Sequence, residues 1–316
     1  MLASHAPGGL RGAYVSARDD LHPEGAAFDE VSAAFFTGSL ARGDVTRIDV
    51  DGSESSFFGG SPSRGRATLG LAVDSASRRL WVCVLADPAS KAGRVWVLDL
   101  DSAALVREVD LARAVEGASC NDLTVDAAGT AYVTDRERAA IYRIAPDGDP
   151  VLWCNHALLT PGTVGLNGIA ITPDGATMLV THYKPATLLR IRMSDPTDVT
   201  AVDVGGDPFW RRAHLVSGAD GIRLVDDRLY VAFDRRIFRV SSDDGWRTAT
   251  AHAARGSVGR GVTAVVAARG GLFAANGQTA RFLLGLRPRL PFQLVFIDPA
   301  RFESPAPRRR RSAPGR

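Results

Sequence analysis

The chain has 316 residues, 45% of them hydrophobic and 23% charged, with a formal net charge of +3. A chain of this length can bury a sizeable core in one domain, and so small a charge gives no reason to expect a nucleic-acid partner. No run approaches the roughly 18 apolar residues of a membrane span, and Met1 to Gly12 lacks the charged-then-apolar order of a signal peptide, so a cytoplasmic protein with no membrane partner is expected.

Taken in order, the chain first offers a short strand candidate, Ala13 to Ala17. Glu24-Gly25 then precedes three short runs of strand character, Ala26 to Asp29, Ala34 to Thr37 and Val45 to Asp49. Leu69-Gly70, Asn121-Asp122, Asn167-Gly168, Asp220-Gly221 and Thr263-Ala264 each open a comparable series. The fourth copy is the clearest. Asn167-Gly168 leads into Ile169 to Ile171, Pro173-Asp174-Gly175 supplies turn chemistry, and Met178 to Thr181 returns. Successive anchors lie from 43 (Asp220 to Thr263) to 53 (Asn167 to Asp220) residues apart.

Repeats of about 40–50 residues with four short strands are the signature of propeller blades, which bury their faces only by stacking on one another. The expected fold is therefore all-β: a six-bladed β-propeller with four-stranded blades around a central channel. Residues 1–304 are expected to form this single domain, with Ala13 to Ala17 closing the ring by pairing into the last blade. Ser53 to Arg66 and Val202 to Val216 read as polar connectors on the rim. Arg281 to Pro291 interrupts the sixth repeat before Phe292 to Asp298 resumes a strand pattern. Residues 305–316, with four consecutive arginines from Arg308 to Arg311, have the composition of a disordered tail. Cys83, Cys120 and Cys154 are an odd count without metal-like spacing and read as reduced, mostly buried thiols.

The repeat places Glu24, Leu69, Asn121, Asn167, Asp220 and Thr263 at the start of successive innermost strands, so they converge on one end of the channel. Glu24, Asn121, Asn167 and Asp220 bring two carboxylates and two amide oxygens. Such a set suits a hard divalent cation, and calcium best, because it accepts neutral oxygens in loose geometry. Magnesium, manganese and zinc are alternatives, although zinc favours His or Cys. His182, just past the second strand of the fourth repeat, is a candidate proton shuttle or substrate contact. No Gly-x-Ser-x-Gly elbow, phosphate loop or dinucleotide fingerprint occurs in the sequence.

Pro23-Glu24-Gly25, Asn121-Asp122-Leu123, Leu166-Asn167-Gly168 with Thr172-Pro173-Asp174-Gly175, and Ala219-Asp220-Gly221 carry a resemblance. The chain resembles the senescence marker protein / gluconolactonase / luciferin-regenerating enzyme family of six-bladed propellers, and more distantly diisopropyl fluorophosphatase and the paraoxonases. The resemblance implies that Glu24, Asn167 and Asp220 hold a divalent cation, with Asn121 a fourth ligand or a substrate contact. It further implies hydrolysis of a small-molecule lactone or ester. Sugar-lactone hydrolases of this family often carry an Arg two residues before the Asn of the third blade. Ser119 stands there in this chain. A less polar lactone or ester is expected in consequence, with Leu69 and the rim aromatics Phe209 and Trp210 pointing the same way. In this reading the cation polarises the carbonyl, and Asp220, or else Asp122, takes the proton from the attacking water. The alternatives are a non-hydrolytic, strictosidine-synthase-like enzyme and a protein-binding propeller with structural calcium, since the fold does not choose among them.

Overall fold

Each repeat folds into an antiparallel sheet whose inner strands are apolar on both faces, because a neighbouring sheet covers each side. The structure is a computed structural model and describes residues 6–59, 66–86, 92–160, 164–207, 210, 218–256 and 258–302. A lone strand β1 (Ala13–Val15) precedes the first blade, which holds β2 (Ala26–Asp29), β3 (Ala34–Gly38), β4 (Val45–Asp49) and β5 (Glu54–Phe58). The second holds β6 (Ala67–Asp74), β7 (Arg79–Leu85), β8 (Gly93–Asp99) and β9 (Leu105–Asp110). The third holds β10 (Leu123–Val125), β11 (Ala131–Thr134), β12 (Ala140–Ile144) and β13 (Pro150–Asn155). The fourth holds β14 (Val164–Ile171), β15 (Thr177–Lys184), β16 (Thr187–Arg192) and β17 (Asp195–Ala201). Next come β18 (Asp203–Gly206), β19 (Ile222–Val225), β20 (Arg228–Phe233), β21 (Arg236–Ser241) and β22 (Thr248–Ala253), then β23 (Ala264–Ala268), β24 (Gly271–Ala275) and β25 (Gln293–Ile297).

Six sheets in a ring make the six-bladed propeller, with the expected closure. β1 pairs antiparallel with β25, Tyr14 opposite Leu294, so the N-terminal strand completes the last blade. The sequence reading differs from the structure at two connectors. Ser53 to Arg66 contains the outer strand β5, and Val202 to Val216 contains β18, which pairs parallel to β22 and gives the fifth blade a fifth strand. Outer strands face solvent on one side and carry mixed residues such as Glu54-Ser55-Ser56, so they lack the apolar run that marks a buried strand. Phe209 and the arginine-rich tail lie outside the described residues.

Among the described residues the hydrophobic core is divided into six clusters, one in each gap between neighbouring blades. Phe36, Leu80 and Trp96 fill the gap between the first and second blades, and Phe28, Phe35 and Phe273 fill that between the sixth and first. Trp210 belongs to this packing. It is buried, with its ring 5.2 Å from Phe233 and 5.5 Å from Phe238, so it is core rather than rim. Leu69 is likewise buried, in the cluster between the second and third blades. That gap also corrects the reading of the cysteines. Cys83 on β7 and Cys120 ahead of β10 meet as a disulfide pair with Cα atoms 6.0 Å apart, while Cys154 is a buried free thiol. Adjacent blades bring together two residues 37 apart in sequence, a contact that spacing alone does not reveal.

Candidate functional site at the channel mouth

Near the channel the blades are tied by a belt of hydrogen bonds at the level of the anchors. The Gly70 N–H donates to the Asn121 carbonyl (3.0 Å) and the Gly221 N–H to the Thr263 carbonyl (2.9 Å). Thr134 Oγ1 donates to the Asn167 carbonyl (2.8 Å), Thr181 Oγ1 to the Asp220 carbonyl (3.3 Å) and Thr263 Oγ1 to the Pro23 carbonyl (2.9 Å). Each bond joins one blade to the next, so the belt holds the backbone of Glu24, Asn121, Asn167 and Asp220 in a fixed frame.

Local irregularity aims the side chains. Along β14 the register shifts between Leu166, opposite His182, and Ile169, opposite Val180. Asn167 and Gly168 therefore sit in a bulge, the device by which a strand turns one side chain out of its regular alternation. β6 shifts in the same way between Thr68 and Leu71, around Leu69-Gly70. Glycine follows the anchor in four repeats because the next inner strand crowds it. A Cβ on Gly70 would press on Asp122 Oδ1 and lie 2.7 Å from Asp122 Cα. Gly70→Ala is accordingly expected to cost roughly 2–3 kcal/mol, through strain that displaces the Asp122 backbone, as measured by denaturant unfolding.

Glu24, Asp122, Asn167 and Asp220 all face one channel cavity of about 230 Å³, together with Thr263 and Arg223. Glu24, Asn167 and Asp220 are each 8% exposed. Asp122 is held by its own strand and the next: its carboxylate accepts the Leu123 N–H (2.8 Å) and the Ile169 N–H. Asn167 donates its side-chain amide to Asp220. Burial pushes all three acids up. Glu24 lies well above the usual carboxylate range through burial and the charges of Asp220 and Asp122. Burial raises Asp122 to about 7, against the N–H donors and the charge of Arg223. Asp220 is raised by burial and by Asp122, with the Asn167 hydrogen bond opposing.

The other predicted residues are buried nearby but do not face the cavity. Asn121 leaves its side-chain Nδ2 buried without a partner. Ser119 is wholly buried, its N–H bonded to Asp135 Oδ2 (2.9 Å). His182 hydrogen-bonds the Leu158 carbonyl through Nε2 (2.9 Å), with Nδ1 buried and unpartnered. Leu69 and Trp210 are packed in the core and lend nothing to the case for a less polar substrate, which then rests on the absence of an arginine at Ser119.

Three neighbours were not singled out in the sequence. Arg136, in the loop after β11, lowers both Glu24 and Asp220 by its charge, and the Tyr183 phenol, at the end of β15, is raised by burial and by Asp220. Arg223 stands on β19, in the channel, where it feels Asp122. All three follow strand ends or inner strands, but the positions occupied by Arg136, Tyr183 and Arg223 carry different residues in other repeats, so alignment gave no signal.

Three mutually repelling carboxylates with no hydrogen-bonded cationic side chain form an oxygen-rich cradle, and its chemistry fits a hard divalent cation. Among the described residues no group of three or more His, Cys, Asp or Glu has metal-holding geometry. Asn167, which carries a neutral amide, lines the same cavity as Glu24 and Asp220.

Residues 22–221 match the family described as the SMP-30/Gluconolactonase/LRE-like region. The chain belongs to that family. Among solved structures, the allergen Mala s 1 of Malassezia sympodialis superposes with a TM-score of 0.69 at 19% identity, covering 92% of this chain and 96% of the other. A gluconolactonase from Xanthomonas campestris gives 0.59 at 19% identity, with 88% of each chain covered. Regucalcin from Agrobacterium tumefaciens, a calcium-binding protein, gives 0.60 at 16% identity, covering 93% and 96%. Identities this low show a shared propeller and no more. No curated protein matches the chain. No helix among the described residues is long and apolar enough to cross a membrane.

Proposed function

We propose that this SMP-30/gluconolactonase-like propeller is a divalent-cation-dependent hydrolase of a small-molecule lactone or ester, with calcium the favoured ion. The observation that carries the reading is the convergence of Glu24, Asp122, Asn167 and Asp220 on one channel cavity. Glu24, Asn167 and Asp220 would hold the cation; Asn121 stays outside this set, because it does not line the cavity and its unpartnered atom is the amide donor Nδ2, which binds no cation. Bound there, the cation supplies Lewis-acid polarisation of a carbonyl and acidifies water.

The chain's own residues do the rest. Asp220 is the first candidate to accept the proton of the attacking water. Asp122, oriented by two backbone N–H groups and with a pKa of about 7, is the second. Arg136 adds positive charge near the developing oxyanion, and Asn167 holds Asp220 in place. The buried wall of inner strands excludes bulk water, which strengthens each of these electrostatic effects.

Calorimetric titration of chelator-stripped protein with calcium, magnesium, manganese and zinc tests the site. Wild type is expected to bind calcium, and Glu24→Gln to bind it at least about 100-fold more weakly, the loss of one charged ligand in a buried set. A panel of lactones and aryl esters should then be hydrolysed only with the ion present. A wild-type protein that binds no divalent ion would remove the metal-dependent reading and favour a non-hydrolytic or binding role.

A further inference from the structure

Beside the channel lies a second cavity, of about 600 Å³, which shares Asp220 and Thr263 with the first. Five arginines line it: Arg235, Arg236, Arg260, Arg281 and Arg289. They come from three separate segments of the fifth and sixth blades. Arg235 and Arg236 stand at the β20–β21 turn, Arg260 precedes β23, and Arg281 and Arg289 belong to the insertion between β24 and β25. The insertion is the stretch that interrupts the sixth repeat, so the departure from regular blade structure delivers two of the five.

Within this cavity the charges do not cancel. Arg281 Nε donates to the Arg287 carbonyl (2.8 Å). For Arg235, Arg260 and Arg289 no guanidinium hydrogen bond or ion pair occurs among the described residues, and all three are exposed. The carboxylates on the cavity wall are Asp220, which belongs to the channel site, and Asp234, whose Oδ1 accepts the Gly261 N–H (2.9 Å). Arg235 and Arg289 press the Arg260 pKa below the ordinary arginine value by like-charge repulsion, which outweighs the opposing attraction of Asp234. Arginines gathered against their own repulsion, with donors unspent, present planar forks suited to carboxylate or phosphate oxygens.

We propose that this cavity receives an anionic group of the substrate, a carboxylate or a phosphate, so that the compound processed at the channel mouth is an anionic lactone or ester rather than a neutral one. The inference rests on the hydrolase reading for its reaction, but the anion site itself does not. Arg235, Arg260 and Arg289 hold the anion, and the shared wall at Asp220 and Thr263 sets it beside the reacting carbonyl. Binding energy from this remote group then orients the ester or lactone bond against the carboxylates. Arginine is also the residue type that keeps its charge at any working pH, so recognition does not depend on protonation.

Two measurements on the full-length, calcium-loaded protein test this. First, sulfate, as a tetrahedral dianion, and succinate, as a dicarboxylate, are titrated into wild type and into Arg235→Ser/Arg260→Ser, with a thermal melt to confirm that the variant folds. At least one of the two anions should bind wild type, and its affinity should fall at least about tenfold in the double variant, the loss of charge-assisted hydrogen bonds. A preference for sulfate points to a phosphorylated substrate, and one for succinate to a carboxylated substrate. Second, kcat/KM is compared for matched neutral and anionic lactones. The anionic member should be favoured at least about tenfold by wild type, with the ratio collapsing towards one in the variant and falling with ionic strength. Neither anion bound by wild type, or equal affinities in both proteins, would overturn the proposal. Anion binding lost in the variant, with no lactone or ester hydrolysed by wild type, would sink the hydrolase reading and leave the anion site standing. Hydrolysis without any charge preference would sink the anion site alone.

Discussion

Asp220→Asn is expected to lower kcat/KM by at least about 10³-fold while leaving the protein folded. The loss combines two effects that act on the same atom: a general base contributes typically 10²–10⁴-fold, and a carboxylate ligand removed from a buried set weakens the cation that polarises the substrate. Folding is spared because Asn is nearly isosteric with Asp. The Asp220 N–H to Ala232 carbonyl bond (2.9 Å) and the acceptance of Thr181 Oγ1 are backbone contacts that the substitution does not touch. Removing one of three mutually repelling acids should even raise the melting temperature of chelator-treated protein. Stopped assays with a lactone panel, beside differential scanning calorimetry, check both halves. Asp122→Asn separates the roles. Asp122 is not among the proposed ligands, so that variant should keep calcium affinity within a few-fold while kcat falls. A fully active Asp220→Asn enzyme would remove Asp220 from the mechanism.

The second large effect is on stability and its pH dependence. Folded-state pKa values of Glu24, Asp122 and Asp220 all lie above their ordinary values, mainly through burial. A carboxyl raised on folding binds more protons in the folded state than in the unfolded one. Its stabilisation is therefore complete below the unfolded pKa near 4 and is lost as pH rises through the folded value. Chelator-treated protein should accordingly lose stability between about pH 4 and 8. Asp122, raised to about 7, can contribute roughly 4 kcal/mol at most to that loss, less because its carboxylate reaches channel water. Acids held below their ordinary value by hydrogen bonds, such as Asp29, which accepts from Ser32 and pairs with Arg78 (Nη1–Oδ2 2.8 Å), act in the opposite direction, but at the acid end of the range. Calcium should reverse the trend. At a hundredfold excess over Kd it adds about 2.7 kcal/mol, or on the order of 5 °C in Tm, and more at pH 8 than at pH 5. Melting curves across this pH range, with and without calcium, read the result. A Tm that calcium leaves unmoved at pH 8 would show that Glu24, Asn167 and Asp220 do not form its site.

Repeat architecture and the channel-mouth acids were legible in the sequence for one physical reason: they follow from local pattern. Inner strands buried on both faces must be apolar, each blade needs its own turn, and an oxygen-bearing residue opening a buried strand stands out against that background. Hence Glu24, Asn167 and Asp220 were visible by position, and Asp122 by its place in the same motif. Outer strands were not visible, since Glu54-Ser55-Ser56 and Asp203-Val204-Gly205 meet solvent and carry no periodic signal.

What only the tertiary structure decided was which residues from different blades share a space. Asp122 and Arg223 line one channel from non-adjacent blades, and Arg136 and Tyr183 reach the acids from strand ends whose side-chain direction no spacing specifies. Cys83 meets Cys120 because the second and third blades abut. Ser119, Leu69 and Trp210 carry side chains suited to a binding wall, yet the packing of neighbouring sheets buries them. Arg235, Arg260 and Arg289 lie in three separate segments, on average an ordinary scatter of surface charge. The sequence by itself determined the ring and the anchors that face its axis, because burial imposes a residue-by-residue pattern. Closing that ring decided the shape and charge of the cavities, because those depend on where distant segments come to rest.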